Sequence, residues 1–192
     1  MSASPADAFL RALEVLDRMA IPYLVGGSVA SSIHGISRPT MDLDIVAAVQ
    51  AGQVAELASL LQPDFYADAE MMQEAITLGR SFNWIHYESS FKIDVFPLQQ
   101  DDYSRQSFAR RRVEQSKTFG TQSIECVVAT AEDIILRKLE WYRAGGESSQ
   151  RQWNDLRGIL QVSQKTLDSA YFRRWAVDLK VADLLERLME QQ

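Results

Sequence analysis

Cysteine is nearly missing from this chain: Cys126 is the only one in 192 residues. One thiol closes no internal disulfide, so the fold must be held by packing and hydrogen bonds, and a reducing cytoplasm suits it. Cys126 falls in an apolar strand pattern and reads as core. Histidine is scarce too, and the spacing of His34 and His86 does not describe a metal pair. His34 reads as a packing or hydrogen-bonding residue. No apolar run approaches membrane-spanning length. Residues 1–20 contain acids and no uninterrupted apolar core, so they do not read as a signal peptide. A surplus of positive charge is also lacking. The net charge of −6 argues against a general nucleic-acid binder, and DNA is not an expected partner. Repeats, low-complexity tracts and long linkers are absent.

Apolar residues make up 46% of the chain, enough for a sizeable core, and the length fits one domain with a helical appendage. Charge is unevenly spread. Residues 1–100 hold five Lys/Arg and twelve Asp/Glu, for a net −7, whereas residues 101–192 hold fifteen and fourteen, for a net +1. A local basic run, Arg105, Arg110, Arg111, Arg112 and Lys117, is either a solvated face or a docking surface for a phosphate-rich substrate.

Hydrophobic spacing predicts a helix over 5–19, a short buried strand over 23–25, and a helix over 28–34 with Ser28 as its cap and Gly35 as its end. A strand follows over 42–49, then helices over 53–61 and 69–78. Strands are expected over 81–87 and 91–96 around a turn at residues 88–90, and over 112–118 and 122–128 around Gly120. From Thr130 the character changes. Thr130-Ala131-Glu132-Asp133 has a helix-start pattern, and helices are expected over 131–143, 149–160, 164–178 and 180–190. The fold class is α+β: a mixed sheet flanked by helices, then a C-terminal helical region.

Two aspartates stand out. Asp42 and Asp44 lie two apart in an apolar strand, so their carboxylates share a face and repel unless a cation lies between them. Asp is poorly suited to strands, and Met41, Leu43, Ile45 and Val46 mark this one as internal. Oxygen ligands without His or Cys suit Mg²⁺ or Mn²⁺. Upstream, Gly26-Gly27-Ser28 joins a strand to a helix, where unpaired N–H groups and the helix dipole favour an anion. A third carboxylate, Asp94, shares a strand face with Lys92. If its strand pairs beside 42–46, three carboxylates can hold metal, and Asp94 can also serve as general base.

Gly27-Ser28, Asp42-x-Asp44 and a later strand Asp94 together resemble the nucleotidyltransferase (DNA polymerase β-like) superfamily. The pattern His34-Gly35, Arg38-x-Thr40-x-Asp42-x-Asp44 is similar to bacterial AbiEii-type and related nucleotidyltransferase-like families. So are Glu132-Asp133 with Lys138, and Arg151 with Asp155. The resemblance spans roughly residues 22–160. It implies a core over 1–129 and a helical region over 130–192 that completes the cleft. It implies metal-dependent transfer of a nucleoside monophosphate from an NTP to an acceptor, with loss of pyrophosphate. Asp42, Asp44 and Asp94 would be the catalytic and metal residues. Gly27, Ser28, Arg38, Thr40, Lys138 and Asp155 would bind the nucleotide. The acceptor would be tRNA or other RNA in a toxin-like role, with an antitoxin protein as partner, or a protein. The alternatives are a small-molecule acceptor of the antibiotic kind, or a non-catalytic binding module.

The residues themselves bear on some of these roles. Lys138 has Ile134, Ile135, Trp141 and Tyr142 as helix neighbours, so it snorkels out or meets an anion in a cleft. Asp155 either supports Lys138 or pairs with Arg151 one turn back. Arg38 either contacts phosphate or braces the carboxylates. Asp133 reads as a first-turn acid, Arg137 as a solvated residue, and Trp84, Trp141, Trp153 and Trp175 as core or interface.

Overall fold

A computed structural model describes residues 3–119 and 123–191. The turn expected at Gly120 and the first residue of the strand expected over 122–128 lie outside them. The chain opens with α1 (Pro5–Arg18). Its start combines Pro5 at the first helical position with a capping box between Ser4 and Asp7, and it buries Phe9, Leu13 and Leu16. β1 (Tyr23–Val25) runs into α2 (Gly27–His34), and β2 (Asp42–Ala47) follows. A short 3₁₀ turn leads into α3 (Val54–Leu61), and β3 (Phe65–Tyr66) precedes α4 (Ala69–Thr77), which Asp68 caps. Next come β4 (Phe82–His86), β5 (Lys92–Pro97), α5 (Asp102–Ala109), β6 (Arg112–Ser116) and β7 (Ile124–Val128). The chain closes with α6 (Ala131–Ala144), α7 (Gln150–Ser163), α8 (Ser169–Asp178) and α9 (Ala182–Glu190).

The seven strands form one mixed sheet in the order β3-β4-β5-β2-β1-β7-β6. At its centre β2 and β5 run parallel, with Asp44 opposite Asp94 and Asp42 opposite Lys92. β1 pairs antiparallel with β2 and parallel with β7. Alternation divides β2 cleanly. Leu43, Ile45 and Ala47 are buried in a core shared with α1, α3 and α4 that includes Phe9, Leu57, Met72 and Trp84. Asp42, Asp44 and Val46 point to the opposite face. There Val46 packs on a second core, in which Leu24 and Ala30 meet Tyr103 and Phe108 of α5 and the apolar sides of α6–α9. The two acids are therefore held between a rigid sheet and a helical layer, at the end of β2 nearest the α2 turn.

Several expected boundaries move. The strand over 42–49 ends at Ala47, where the Ala48 N–H turns to the Pro22 carbonyl. The helix expected over 164–178 begins at Ser169, because Asp168 caps it through the Tyr171 N–H. β3 and α5 were not signalled. β3 has two residues, and the apolar stripe of α5 is only Tyr103 and Phe108, too narrow to show helical periodicity. Ser28 does not cap α2. Gly26 takes the N-cap position, with the Ala30 N–H on its carbonyl, and Ser28 lies inside the first turn.

Candidate active site

The turn between β1 and α2 is built around an absent side chain. Gly27 has φ +53°, and a β-carbon there would stand 1.7 Å from Asp44 Oδ2. The Gly26 N–H donates to the Asp44 carbonyl at 2.9 Å, so the turn is fastened to the strand that carries the acids. The first-turn N–H groups of α2 are left without intrahelical acceptors, as at any helix start.

Asp42, Asp44 and Asp94 share this face of the sheet. The Thr40 hydroxyl donates to Asp42 Oδ1 at 2.7 Å. Asp94 Oδ2 lies 2.6 Å from Lys92 Nζ. No protein hydrogen bond supports the Asp44 carboxylate among the described residues. Burial pushes its pKa up to about 6, the charges of Asp42 and Asp94 add to the rise, and Lys138 and Lys92 oppose it. Hydrogen bonding to Asp94 holds the Lys92 pKa above its ordinary value.

This donor set fits a hard divalent cation in its chemistry. It is all oxygen, it carries three negative charges on neighbouring strands, and a mostly buried carboxylate with no donor stands at its centre. Among the described residues, however, no three acidic, thiol or imidazole side chains converge at ligating distance. Lys92 engages Asp94, and Thr40 engages Asp42.

A second charged chain approaches from the helical layer. Arg38 forms a two-pronged pair with Asp155, Nε to Oδ1 at 2.9 Å and Nη2 to Oδ2 at 2.9 Å. The same Nη2 donates to Ser28 Oγ at 2.8 Å. Lys138 Nζ reaches Asp155 Oδ2 at 2.9 Å. Ser28, Arg38, Asp155 and Lys138 thus form one line from the α2 turn to α6 and α7. Burial alone would raise the Asp155 pKa, but hydrogen bonds from Arg38 and Lys138 outweigh it and hold the carboxyl below its ordinary value. Lys138 meets the Asp155 carboxylate, and Asp155 turns to Arg38 and Lys138 rather than back to Arg151.

Other residues take different places. His34 donates its Nε2–H to the Ala129 carbonyl at 2.7 Å, behind the site. Cys126 is buried core, and burial pushes its thiol up to about 12. Trp84, Trp153 and Trp175 are buried, whereas Trp141 is 60% exposed on α6, three residues after Lys138. Arg137 is not simply solvated. It donates to Ser104 Oγ at 2.6 Å and lies over the Tyr103 ring, joining α6 to α5. Asp133 accepts from Thr130 as expected and also from Tyr171 at 2.7 Å.

The basic run is largely occupied within the protein. Arg110 lies 3.3 Å from Glu132 and 3.8 Å from both Asp133 and Asp168, over the Tyr171 ring. Arg105 pairs with Asp102, and Arg111 lies over the Phe108 ring. Arg112 and Lys117 are exposed. Lys92, placed beside Asp94 by its sequence, was given no role there. Its place two before Asp94, on the same strand face, was the available signal.

No protein-family profile and no curated protein sequence matches the chain. Solved structures do. The antibiotic-resistance factor ANT(2'')-Ia superposes with a TM-score of 0.53 at 13% identity, over 96% of each chain. An antigenic nucleotidyltransferase-like protein from Paracoccidioides brasiliensis superposes with a TM-score of 0.53 at 17% identity, over 94% of this chain and 91% of that one. ANT(2'')-Ia in complex with adenylyl-2''-tobramycin also gives 0.53, at 13% identity, over 90% and 95%. The likeness runs through sheet and helical region alike, and the chain has the nucleotidyltransferase fold.

Proposed function

We propose that this protein transfers a nucleoside monophosphate from a nucleoside triphosphate to a small hydroxylated acceptor. One observation carries the reading. Asp44 and Asp94 stand opposite each other on adjacent parallel strands, with Asp42 on the same face and a turn at Gly27 that has room for nothing larger. Asp42, Asp44 and Asp94 would hold Mg²⁺ or Mn²⁺, which when bound offsets phosphate charge and favours an ionised attacking oxygen. The α2 turn, with Gly27 and Ser28, offers backbone donors to the triphosphate. Lys138 and Arg38 supply positive charge beside it, and Asp155 keeps both cations in place. Thr40 orients Asp42. Asp94 accepts the proton of the acceptor hydroxyl. The acceptor oxygen then bonds to the α-phosphorus as the bond to the bridging oxygen breaks, and pyrophosphate leaves.

Two observations favour a small acceptor. Arg105, Arg110 and Arg111 make intramolecular contacts, which leaves little of the basic run for RNA. ANT(2'')-Ia, whose solved complex contains adenylyl-2''-tobramycin, shares the architecture over nearly its whole length. An RNA acceptor, with an antitoxin partner, rests on the exposed Arg112 and Lys117.

The test offers each of four α-labelled NTPs, with Mg²⁺ or Mn²⁺, to small-molecule, RNA and protein extracts in turn. Label in the small-molecule fraction is the expected result. Label in RNA or protein would replace the acceptor while keeping the chemistry. No label anywhere, from folded protein, would favour a non-catalytic binding module.

A further inference from the structure

Lys92 stands where a metal-binding site would least be expected to carry a lysine. Its Cα is the register partner of Asp42, and its Nζ lies 2.6 Å from Asp94 Oδ2. Its charge also acts on Asp42 and Asp44. One ammonium therefore pairs with Asp94 and lies within the field of Asp42 and Asp44. The Lys92 side chain is 44% exposed, on a flexible stem with open solvent to one side. An exposed pair of this kind is weak, so a competing cation can displace it.

We infer that Lys92 is a resident counter-ion of the carboxylate trio: its ammonium holds the place of the metal ion and so opposes loading by metal alone. This inference rests on the metal-site reading above. The ammonium and a divalent ion cannot both occupy Asp94 Oδ2. A bare ion must displace Lys92 and gains only the carboxylates. An ion that arrives with a triphosphate gains phosphate oxygens as well, which tips the competition. Lys92 is thus a positioning residue. It keeps the like charges together in the resting protein, and it opposes loading by metal alone.

The experiment is Mn²⁺ titration followed by electron paramagnetic resonance, with and without a non-hydrolysable NTP analogue. It compares the wild type with Lys92→Met and Lys92→Arg. Thermal melting of the metal-free proteins serves as a second readout. In the wild type, Mn²⁺ alone binds weakly and the analogue tightens it. In Lys92→Met, Mn²⁺ binds about tenfold tighter or more, with the analogue and without it. Its metal-free melting temperature falls, and Mn²⁺ restores it. Lys92→Arg keeps the wild-type affinity for Mn²⁺. Unchanged or weaker Mn²⁺ binding by folded Lys92→Met overturns the inference while leaving the metal site intact. No Mn²⁺ binding by any form, with or without nucleotide, overturns the metal-site reading as well.

Discussion

The carboxylate of Asp44 fills the space in which Gly27 would carry a β-carbon. The gap from that position to Oδ2 is 1.7 Å, and the backbone there has a left-handed φ of +53°. Gly27→Ala therefore meets two obstacles. The backbone conformation alone costs about 1–2 kcal/mol for any L-residue. The methyl group also drives Asp44 off its position, and a displacement of about 1 Å at a reacting centre costs about 100-fold in rate. We expect the variant to fold with a lowered melting temperature and to lose at least that much turnover. Calorimetry and a pyrophosphate-release assay measure the two effects separately.

Asp155 is the only acid that both Arg38 and Lys138 touch among the described contacts. All three side chains are more than three-quarters buried. Asp155→Ala takes from two confined cations the carboxylate that both touch and should destabilise the protein by about 3 kcal/mol, as other broken buried pairs do. The urea midpoint reports the loss. Nucleotide affinity should fall too, because neither cation is then held in place.

The same carboxylate gives a pH signature. Its folded pKa lies below the ordinary value of about 3.9. Its stabilising contribution is therefore complete above that value and is lost as pH falls through the folded pKa. The stability gap between wild type and Asp155→Asn should be constant from pH 7 to pH 5 and close below pH 4. A gap that widened under acid would contradict the arrangement.

Arg110 separates a structural from a docking role for the basic run. It is the cation beside Glu132 and Asp133, both nearly fully buried. Arg110→Ala should cost about 3 kcal/mol by leaving those carboxylates uncompensated. It should have no effect on RNA binding that exceeds this loss of folded protein. A filter-binding assay at fixed folded fraction decides it.

Cys126 should be inert in the native state. The thiol is buried and its pKa is raised, so little reactive thiolate forms and reagents cannot reach it. Labelling by a disulfide reagent should follow the global unfolding curve. Rapid labelling of the folded protein would place this residue outside the core.

What could be read from the residues depended on range. Alternation along β2 and β5 is local, so the shared face of Asp42 and Asp44, and of Lys92 and Asp94, was visible in the sequence. Whether the two strands touch is a non-local matter that no spacing decides; the register of Asp44 with Asp94 belongs to the folded sheet. Charged partners far apart in sequence were the least legible. Arg38 with Asp155, and Arg110 with Glu132 and Asp133, meet only because α5, α6 and α7 pack on the sheet. Arg137 was misread for the same reason, since Ser104 and Tyr103 arrive from an unforeseen helix. Ser28 was misplaced by one rule overriding another. A serine before a helix ordinarily caps it, but the glycine that must precede it here had already begun the turn.

The proposed function places nucleotidyl transfer on the acids of β2 and β5. The most direct test is pyrophosphate release and label transfer by Asp44→Asn, which keeps the shape of the side chain and removes its charge. The expected result is a folded protein with transfer reduced to background. Turnover by Asp44→Asn equal to the wild type would contradict it.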